Sequence, residues 1–217
     1  MILVFGKTGQ IAIELQRLSD VLALGRDQAD LSNPVACAQI IRAFAPSAVI
    51  NAAAYTAVDK SEANEELATI INADSPTAIA QVCGEMKIPF LHISSDYVFE
   101  GLGEEPWKPI NITTPQNAYG RSKLIGEEGV LASGGIHAIL RTSWVFSAHG
   151  NNFVKTMLRL SKTRDRLCVV TDQIGGPTPA SVIASACLMI AQHLKDDPSK
   201  SETYHYSGEP NVSWSEF

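Results

Sequence analysis

The chain has 217 residues, of which 45% are hydrophobic and 18% are charged, and its net charge is -6 with a pI near 5.3. These values are typical of a globular protein with one large core or two small ones. No block of Lys or Arg occurs, so nucleic acid and anionic membranes are poor candidate partners. The sequence has no signal peptide pattern and no apolar run of membrane-spanning length, so we expect a cytoplasmic protein.

The four cysteines lie far apart in apolar contexts, without a CxxC pair or regularly spaced histidines. We therefore expect reduced core residues rather than disulfides or metal ligands. These cysteines are Cys37, Cys83, Cys168 and Cys187.

Short apolar runs alternate with helical patterns along the chain. Ile11, Leu15 and Leu18 recur at helical spacing within residues 9–19, and Pro34 opens a second helix over 34–45. This alternation predicts an α/β fold, a Rossmann-like doubly wound parallel sheet. We expect an NAD(P)-binding domain over 1–147, and over 148–217 a mixed region of substrate-binding and returning Rossmann elements. The predicted strands cover 2–5, 21–24, 48–53, 90–95, 137–142 and 167–172.

A helix start is predicted at the end of the sequence, in "NVSWSEF". Ser213 can cap Glu216 at the third helical position, while Val212 and Phe217 occupy the positions of a hydrophobic staple. One helical turn is not stable alone. We therefore expect either a piece of a longer protein, which we favour, or a segment that docks on a partner.

A glycine-rich turn follows the first strand in "ILVFGKTGQIAIEL". Gly6 and Gly9 let the backbone approach a pyrophosphate at the mouth of the first helix, although a plain strand-to-helix turn has the same pattern. Gly25 and Arg26 end the second strand where an acidic residue would favour NAD. A guanidinium suits a 2'-phosphate and so favours NADPH over NADH. Alternatively, Arg26 is a solvated loop charge, and Asp27 beside it could reverse the preference.

Small and polar residues follow the next strands. Ala53, Ala54 and Tyr55 could form a floor under the cofactor, unless the alanines serve only close helix packing. We expect Asp30 and Leu31 to border the adenine.

A tyrosine and a lysine stand four residues apart in "NAYGRSKLIGEE" and therefore share one helix face. A positive charge from Lys123 would lower the pKa of Tyr119 and make the pair usable for carbonyl reduction. The pattern alone is weak, but Ser95 ends the fourth strand at the same edge of the sheet, where its hydroxyl could bind the reacting oxygen. Capping of the turn is the alternative role of Ser95. Strand alternation points Ser94 to the other face.

Several segments together resemble the dTDP-4-dehydrorhamnose reductases, extended short-chain dehydrogenases of the rhamnose pathway, over the whole chain. They include "FGKTGQ", "NAAAYTAVDKSE", "ISSDYVFEG", "YGRSK", "LRTSWVF", "GNNFVKTML" and "DQIGGPTPA". The resemblance implies reduction of dTDP-4-dehydro-6-deoxy-L-mannose (dTDP-4-dehydro-L-rhamnose) to dTDP-L-rhamnose by NADPH, with NADH as the other candidate. It also implies Mg²⁺ association, with Glu14 as a weak candidate contact and no assigned metal site, and a homodimer.

The same resemblance implies residue roles. Tyr119 would donate a proton to the C4 oxygen, Lys123 would hold the nicotinamide ribose, and Ser95 would orient the carbonyl, replacing a threonine usual in the family. Tyr55 stands where close relatives commonly have a histidine, and Gly25 stands where relatives have an acidic residue. Dinucleotide contacts are implied for Gly9, Gln10, Ile11, Asp30, Leu31, Ala53, Ala54 and Tyr55, and substrate contacts for Ser95, Asp96, Trp144, Asn152 and Thr178.

Other assignments stay open at this point. Trp144 could be an ordinary core tryptophan, and Asn152 and Thr178 could serve capping and turn formation. A sugar-nucleotide epimerase or dehydratase shares the glycine turn and the Tyr-Lys pair, but no glutamate adjoins Asp96 as a dehydratase would need. A non-catalytic NADP-binding regulatory subunit, like the β subunit of methionine adenosyltransferase, is the alternative outside enzymes.

Overall fold

Ten strands build one six-stranded sheet and two small two-stranded ribbons in the computed structural model, which describes residues 1–217. The large sheet has the order β2-β1-β3-β4-β5-β9, and all of its strand pairs are parallel. Pairing of β6 with β8 and of β7 with β10 forms the ribbons. The strands are β1 Ile2–Phe5, β2 Val21–Leu24, β3 Ala48–Asn51, β4 Phe90–Ser95, β5 His137–Thr142, β6 Val145–Phe146, β7 Ile174–Gly175, β8 Thr178–Pro179, β9 Glu202–Tyr206 and β10 Val212–Ser213.

Eight α-helices connect these strands. A π-helical turn, Ile70–Asp74, joins α4 directly to α5, and a 3-10 turn, Asp96–Val98, follows β4. Pro34 lies in the first turn of α2, as the sequence pattern predicts, and Asn33 caps that helix by accepting a hydrogen bond from the Ala36 N–H. The helices are α1 Gln10–Leu18, α2 Pro34–Phe44, α3 Val58–Ser61, α4 Glu65–Thr69, α5 Ser75–Met86, α6 Ala118–Ala132, α7 Phe153–Leu160 and α8 Ala180–Asp196.

Each face of the large sheet is covered by its own apolar core. Leu3 and Phe5 of β1 point into the core beneath α2, α5 and α6, whereas Val4 between them points into the core beneath α1 and α8. Burial of both faces explains why these strands are continuous apolar runs. The doubly wound parallel fold predicted from the sequence is confirmed.

Strand order places a ligand crevice between β1 and β3. From β1 the chain crosses to β2 on one side, and then returns to β3 on the other. Such a reversal leaves an open crevice at the carboxyl ends of the two strands, where open α/β sheets bind ligands. The turns after β1 and β3 both lie there.

Two sequence predictions are wrong in the C-terminal third. Residues 167–172 form no strand, and Leu167 and Cys168 are exposed, so Cys168 is not a core cysteine. The sixth strand is instead β9, which pairs with β5 through the alternating segment "ETYHY". The other three cysteines are free and buried, as expected.

Residues 148–217 contribute α8 and β9 to the layers of the large sheet. The remaining elements of that part include α7, the ribbon of β7 with β10, and β8, which pairs with β6 from before residue 148. The domain boundary at residue 147 stays a prediction. No helix is both long and apolar enough to span a bilayer.

The predicted helix at Ser213 is present only as a turn. Glu216 and Phe217 donate their N–H groups to the Ser213 carbonyl at 3.1 and 3.0 Å. The Glu216 carboxylate accepts the Ser213 N–H at 2.8 Å, which is half of the predicted capping box. Ser213 itself belongs to β10, so the turn starts from a strand.

Candidate active site

The turn after β1 has the shape of a phosphate cradle. Gly6 adopts a φ of +106°, and a Cβ there would lie 3.3 Å from the Ala52 carbonyl and the Ala53 Cβ, so only glycine fits. Gly9 precedes α1 without any side-chain cap. The first N–H groups of that helix therefore stay available to an anion. These features fit the pyrophosphate of a dinucleotide.

Gln10 and Ile11 present backbone rather than side chains to this cradle. The Gln10 carboxamide oxygen accepts hydrogen bonds from Ser147 Oγ and Asn152 Nδ2, both at 2.9 Å, and its nitrogen lies 3.3 Å from the Val145 carbonyl. Ile11 belongs to the core. The Gln10 side chain thus fastens segment 147–152 beside the cradle.

Two oppositely charged side chains, Arg26 and Asp30, form an ion pair in the loop after β2. Arg26 is largely exposed, and its Nε lies 3.2 Å from the Asp30 carboxylate. A hydrogen bond from the Ser32 N–H lowers the pKa of Asp30, and Arg26 lowers it further. A Cβ on Gly25 would lie 2.5 Å from Asp27 Oδ1, so the Asp27 carboxylate occupies the space that a side chain at position 25 would fill.

Leu31, predicted beside the adenine, is a buried core residue. Its carbonyl accepts a hydrogen bond from Ser75 Oγ at 2.6 Å. Its side chain packs in the core beneath α2, α5 and α6.

The loop after β3 is held by an asparagine that sequence reasoning missed. Asn72, in the π-helical turn, accepts the Tyr55 N–H at 2.8 Å and donates to the Tyr55 carbonyl at 3.1 Å. Its amide also donates to Ser122 Oγ at 2.9 Å, and that hydroxyl bonds the Tyr119 carbonyl. Ala53 and Ala54 precede Tyr55, so the predicted floor and the Tyr119 helix are joined through Asn72.

Helix α6 places Tyr119 in its first turn, beside the end of β4. Asn117 caps the helix by accepting the Gly120 N–H at 2.8 Å. A Cβ on Gly120 would clash with the Tyr97 carbonyl oxygen, so this glycine permits close approach to the turn after Ser95. The Tyr119 ring contacts the Tyr97 ring edge-to-face at 5.4 Å.

The Tyr119 phenol is protonated in this site. Burial raises its pKa above 10, whereas a hydrogen bond with the Ser95 hydroxyl opposes that increase. The sequence predicts a Tyr119 pKa lowered by Lys123, and that expectation is wrong. Lys123 directs its amine elsewhere, towards β4.

Lys123 is fully buried and bonded to strand β4. Its Nζ donates to the Ile93 carbonyl at 2.7 Å and lies 3.1 Å from His92 Nε2. Burial lowers the pKa of Lys123 from 10.5 to about 8, with Glu127 opposing. His92 is a second missed residue; a histidine in an otherwise apolar strand is the signal that could have identified it.

Ser95 and Asp96 form a bonded pair at the end of β4. Ser95 Oγ donates to Asp96 Oδ1 at 2.9 Å and accepts the Tyr97 N–H at 3.2 Å. Burial raises the pKa of Asp96, while the Ser95 hydrogen bond opposes this. Ser95 lies beside Tyr119, so the structure brings the three predicted catalytic residues to one edge.

Two predicted substrate contacts have other partners here. Thr178 is fully buried, donates to the Gly176 carbonyl and accepts the Gly208 N–H. Asn152 caps α7 by accepting the Lys155 N–H, besides its bond to Gln10. Both side chains thus have the capping and turn roles that the sequence left open.

Trp144 stacks on Trp214 with ring centroids 3.6 Å apart, within an aromatic cluster that includes Phe153 and Phe217. It adopts a φ of +47°, which is rare for a bulky side chain. Its contact with a sugar stays a prediction.

No group of three or more His, Cys, Asp or Glu residues is arranged to hold a metal ion. Glu14 pairs instead with His149 at 3.3 Å and with Arg17 at 3.6 Å. No residues are therefore assigned to Mg²⁺.

Comparison with known proteins shows the family of the chain. The family model described as RmlD substrate binding domain matches residues 1–217. The dTDP-4-dehydrorhamnose reductase of Salmonella typhimurium is 41% identical over 224 aligned positions, which cover 100% of this chain and 75% of that protein.

Two solved structures are similar over all of this chain and 77% of their own. One is a dTDP-4-dehydrorhamnose reductase from Bacillus anthracis in complex with NADP, with a TM-score of 0.92 and 34% identity. The other is a dTDP-4-dehydrorhamnose reductase from Clostridium acetobutylicum, with a TM-score of 0.90 and 37% identity. The chain therefore belongs to the RmlD family of dTDP-4-dehydrorhamnose reductases, as its sequence motifs indicate.

Proposed function

We propose that the chain reduces dTDP-4-dehydro-6-deoxy-L-mannose to dTDP-L-rhamnose with NADPH. The observation that carries this proposal is the placement of Ser95, Tyr119 and Lys123 at one sheet edge, beside a glycine cradle suited to a dinucleotide. The activity for which the similar reductases are named supplies the substrate.

Each of the three residues has a distinct task in the reaction. When bound, the reduced nicotinamide supplies a hydride to C4 of the sugar. Tyr119, kept protonated by burial, gives its phenolic proton to the C4 oxygen. Ser95 orients that oxygen through its hydroxyl, and a protonated Lys123 stabilises the phenolate that forms. The phenolate then regains a proton from solvent.

The preference for NADPH is supported at the end of β2. No acidic side chain extends from position 25 to bind a ribose hydroxyl, and the largely exposed Arg26 guanidinium can leave Asp30 and turn towards a 2'-phosphate. The Asp27 carboxylate opposes this preference, since it lies beside Gly25. The similar Bacillus anthracis structure contains NADP. Homodimer formation and Mg²⁺ association stay predictions.

The experiment is a spectrophotometric assay of NADPH, then NADH, oxidation with the 4-keto sugar nucleotide made in situ. Tyr119→Phe is the matched variant because it removes only the phenolic oxygen. We expect its kcat to fall by roughly 10²- to 10⁴-fold with NADPH affinity retained, since one proton donor is lost. A wild-type protein that binds NADPH but oxidises none would favour the non-catalytic regulatory subunit instead.

A further inference from the structure

Three buried polar side chains form a hydrogen-bonded series beneath the candidate active site. Asn51 of β3 and His92 of β4 are paired in the parallel register, and Asn51 Nδ2 lies 3.2 Å from His92 Nδ1. The other ring nitrogen of His92 lies 3.1 Å from Lys123 Nζ. All three residues are at most 1% exposed, so water cannot complete their hydrogen bonds.

At the Asn51 end of this series, the direction of hydrogen-bond donation is fixed. The Ala53 N–H can only donate, and it donates to Asn51 Oδ1 at 3.2 Å. The Asn51 amide nitrogen therefore points at His92 Nδ1. A nitrogen that receives this donor must be unprotonated, and the single proton of the neutral ring then lies on Nε2, facing Lys123.

A lysine ammonium conflicts with that arrangement. It has three donors and no acceptor, so it would face the His92 Nε2–H donor directly. Moving the ring proton to Nδ1 would set it against the Asn51 amide nitrogen. Turning the amide over would then set that nitrogen against the Ala53 N–H, so every placement leaves one conflict.

A neutral amine completes the network. Its lone pair accepts the His92 Nε2–H, while one of its hydrogens continues to bond the Ile93 carbonyl. We propose that His92 is a positioning residue that donates its Nε2–H to a neutral Lys123 amine, in a direction fixed by the Ala53 N–H through Asn51. The inference rests on the proposed reductase function and deepens it, because it names the residue that holds the Lys123 amine in place before Lys123 gains the proton with which it stabilises the phenolate.

The groups around Lys123 set the pH at which its amine gains or loses a proton. Tyr119 and Glu127 stand one turn away on either side along α6, and Asp96 lies beyond Tyr119. Glu127 is itself paired with Arg141 of β5 at 2.6 Å. Burial outweighs the effect of Glu127 on Lys123 and lowers the lysine pKa to about 8. The pKa of His92 is well below 6.5, first because of burial and then because of Lys123, so the ring stays neutral.

The test is a two-bond proton–nitrogen correlation spectrum of the cofactor-free protein labelled with [¹⁵N]histidine, recorded at pH 9 and pH 6.5. The chain has five histidines, and His92→Gln identifies the signal. We expect the Nε2–H tautomer at pH 9 and the Nδ1–H tautomer at pH 6.5, with no such change in Lys123→Met. Nε2–H at both values also supports the proposal, with a lysine pKa below 6.5. The Nδ1–H tautomer or an imidazolium at pH 9, or the same change in Lys123→Met, would overturn it.

A second experiment measures the turnover of His92 variants. In His92→Gln the amide nitrogen can still donate to the amine, whereas His92→Phe keeps ring bulk and donates nothing. We expect His92→Phe to lower kcat by about ten- to a hundredfold and His92→Gln to stay within about threefold of wild type. Equal losses in variants with equal melting temperatures would contradict positioning by this hydrogen bond. If wild type shows no turnover, the proposed function fails while the spectrum still decides the inference.

Discussion

The sequence pattern does not specify the protonation states of individual residues in the site. The Tyr119 and Lys123 spacing identifies which side chains share a helix face, but their pKa values follow from burial. Lys123 reaches β4 rather than the phenol because the Ile93 carbonyl and His92 lie beneath it. The pattern therefore predicts the pair, and only the packing around it fixes the protonation.

A buried lysine should make stability depend on pH in a definite direction. The pKa of Lys123 is 10.5 in the unfolded chain and about 8 in the folded protein. Between these values the unfolded chain binds more protons at this site, so the free energy of unfolding rises with pH. Below pH 8 the burial penalty is fully present, on the order of 3 kcal/mol.

We predict that Lys123→Met is more stable than wild type at pH 7 and loses this advantage towards pH 10. Urea unfolding at pH 7, 8, 9 and 10 measures the difference between the two proteins. The exposed Lys162→Met is the control, and its difference from wild type should not change with pH. Parallel curves for wild type and Lys123→Met would show that burial does not perturb this lysine.

At the scale of elements, the first five strands and helices α1, α2 and α6 were predictable, whereas the last strand of the sheet and the π-helical turn were not. Apolar runs located β1 to β5 because burial on both sheet faces requires them. The run "LCVVTD" is equally apolar yet forms no strand, whereas the polar "ETYHY" does, because β9 pairs only with β5 at the sheet edge. The π-helical turn of Asn72 has no sequence signature, since it depends on contacts with α6 and the loop after β3.

That turn gives a prediction about helix α6. Asn72→Leu removes the partners of both Tyr55 main-chain groups and of Ser122 Oγ. Because buried donors and acceptors are left unpaired, we expect the free energy of unfolding to fall by about 2 to 4 kcal/mol. The kcat should fall as well, since Ser122 bonds the Tyr119 carbonyl.

Thermal and urea unfolding measure the first effect, and the NADPH assay measures the second. Asn64→Ala is the matched control, because Asn64 is exposed and its side chain bonds only the Lys60 carbonyl. An Asn72→Leu protein as stable as this control would mean that the asparagine does not join the two elements.

Over the whole molecule, distant parts of the sequence meet around the crevice. The cradle comes from residues near the start, the Tyr119 helix from the middle, and segment 147–152 is fastened to the cradle through Gln10. A cofactor held by all of these parts binds only the folded protein. Its binding free energy is therefore added to the free energy of unfolding.

Thermal unfolding with each cofactor should therefore report the cofactor preference. At 100 times its dissociation constant, NADPH adds about 2.7 kcal/mol, which corresponds to an increase of roughly 5 to 10 °C in Tm for a chain of this size. At equal concentrations NADH should give a smaller increase, because no acidic side chain extends from Gly25 towards its ribose.

Arg26→Ala should weaken NADPH binding about tenfold through the lost guanidinium contact, and leave NADH binding unchanged. Arg164→Ala, an exposed charge elsewhere, controls for net charge. An equal loss for both cofactors would assign Arg26 to its ion pair with Asp30, and a larger increase with NADH would make the Asp27 carboxylate the selecting group.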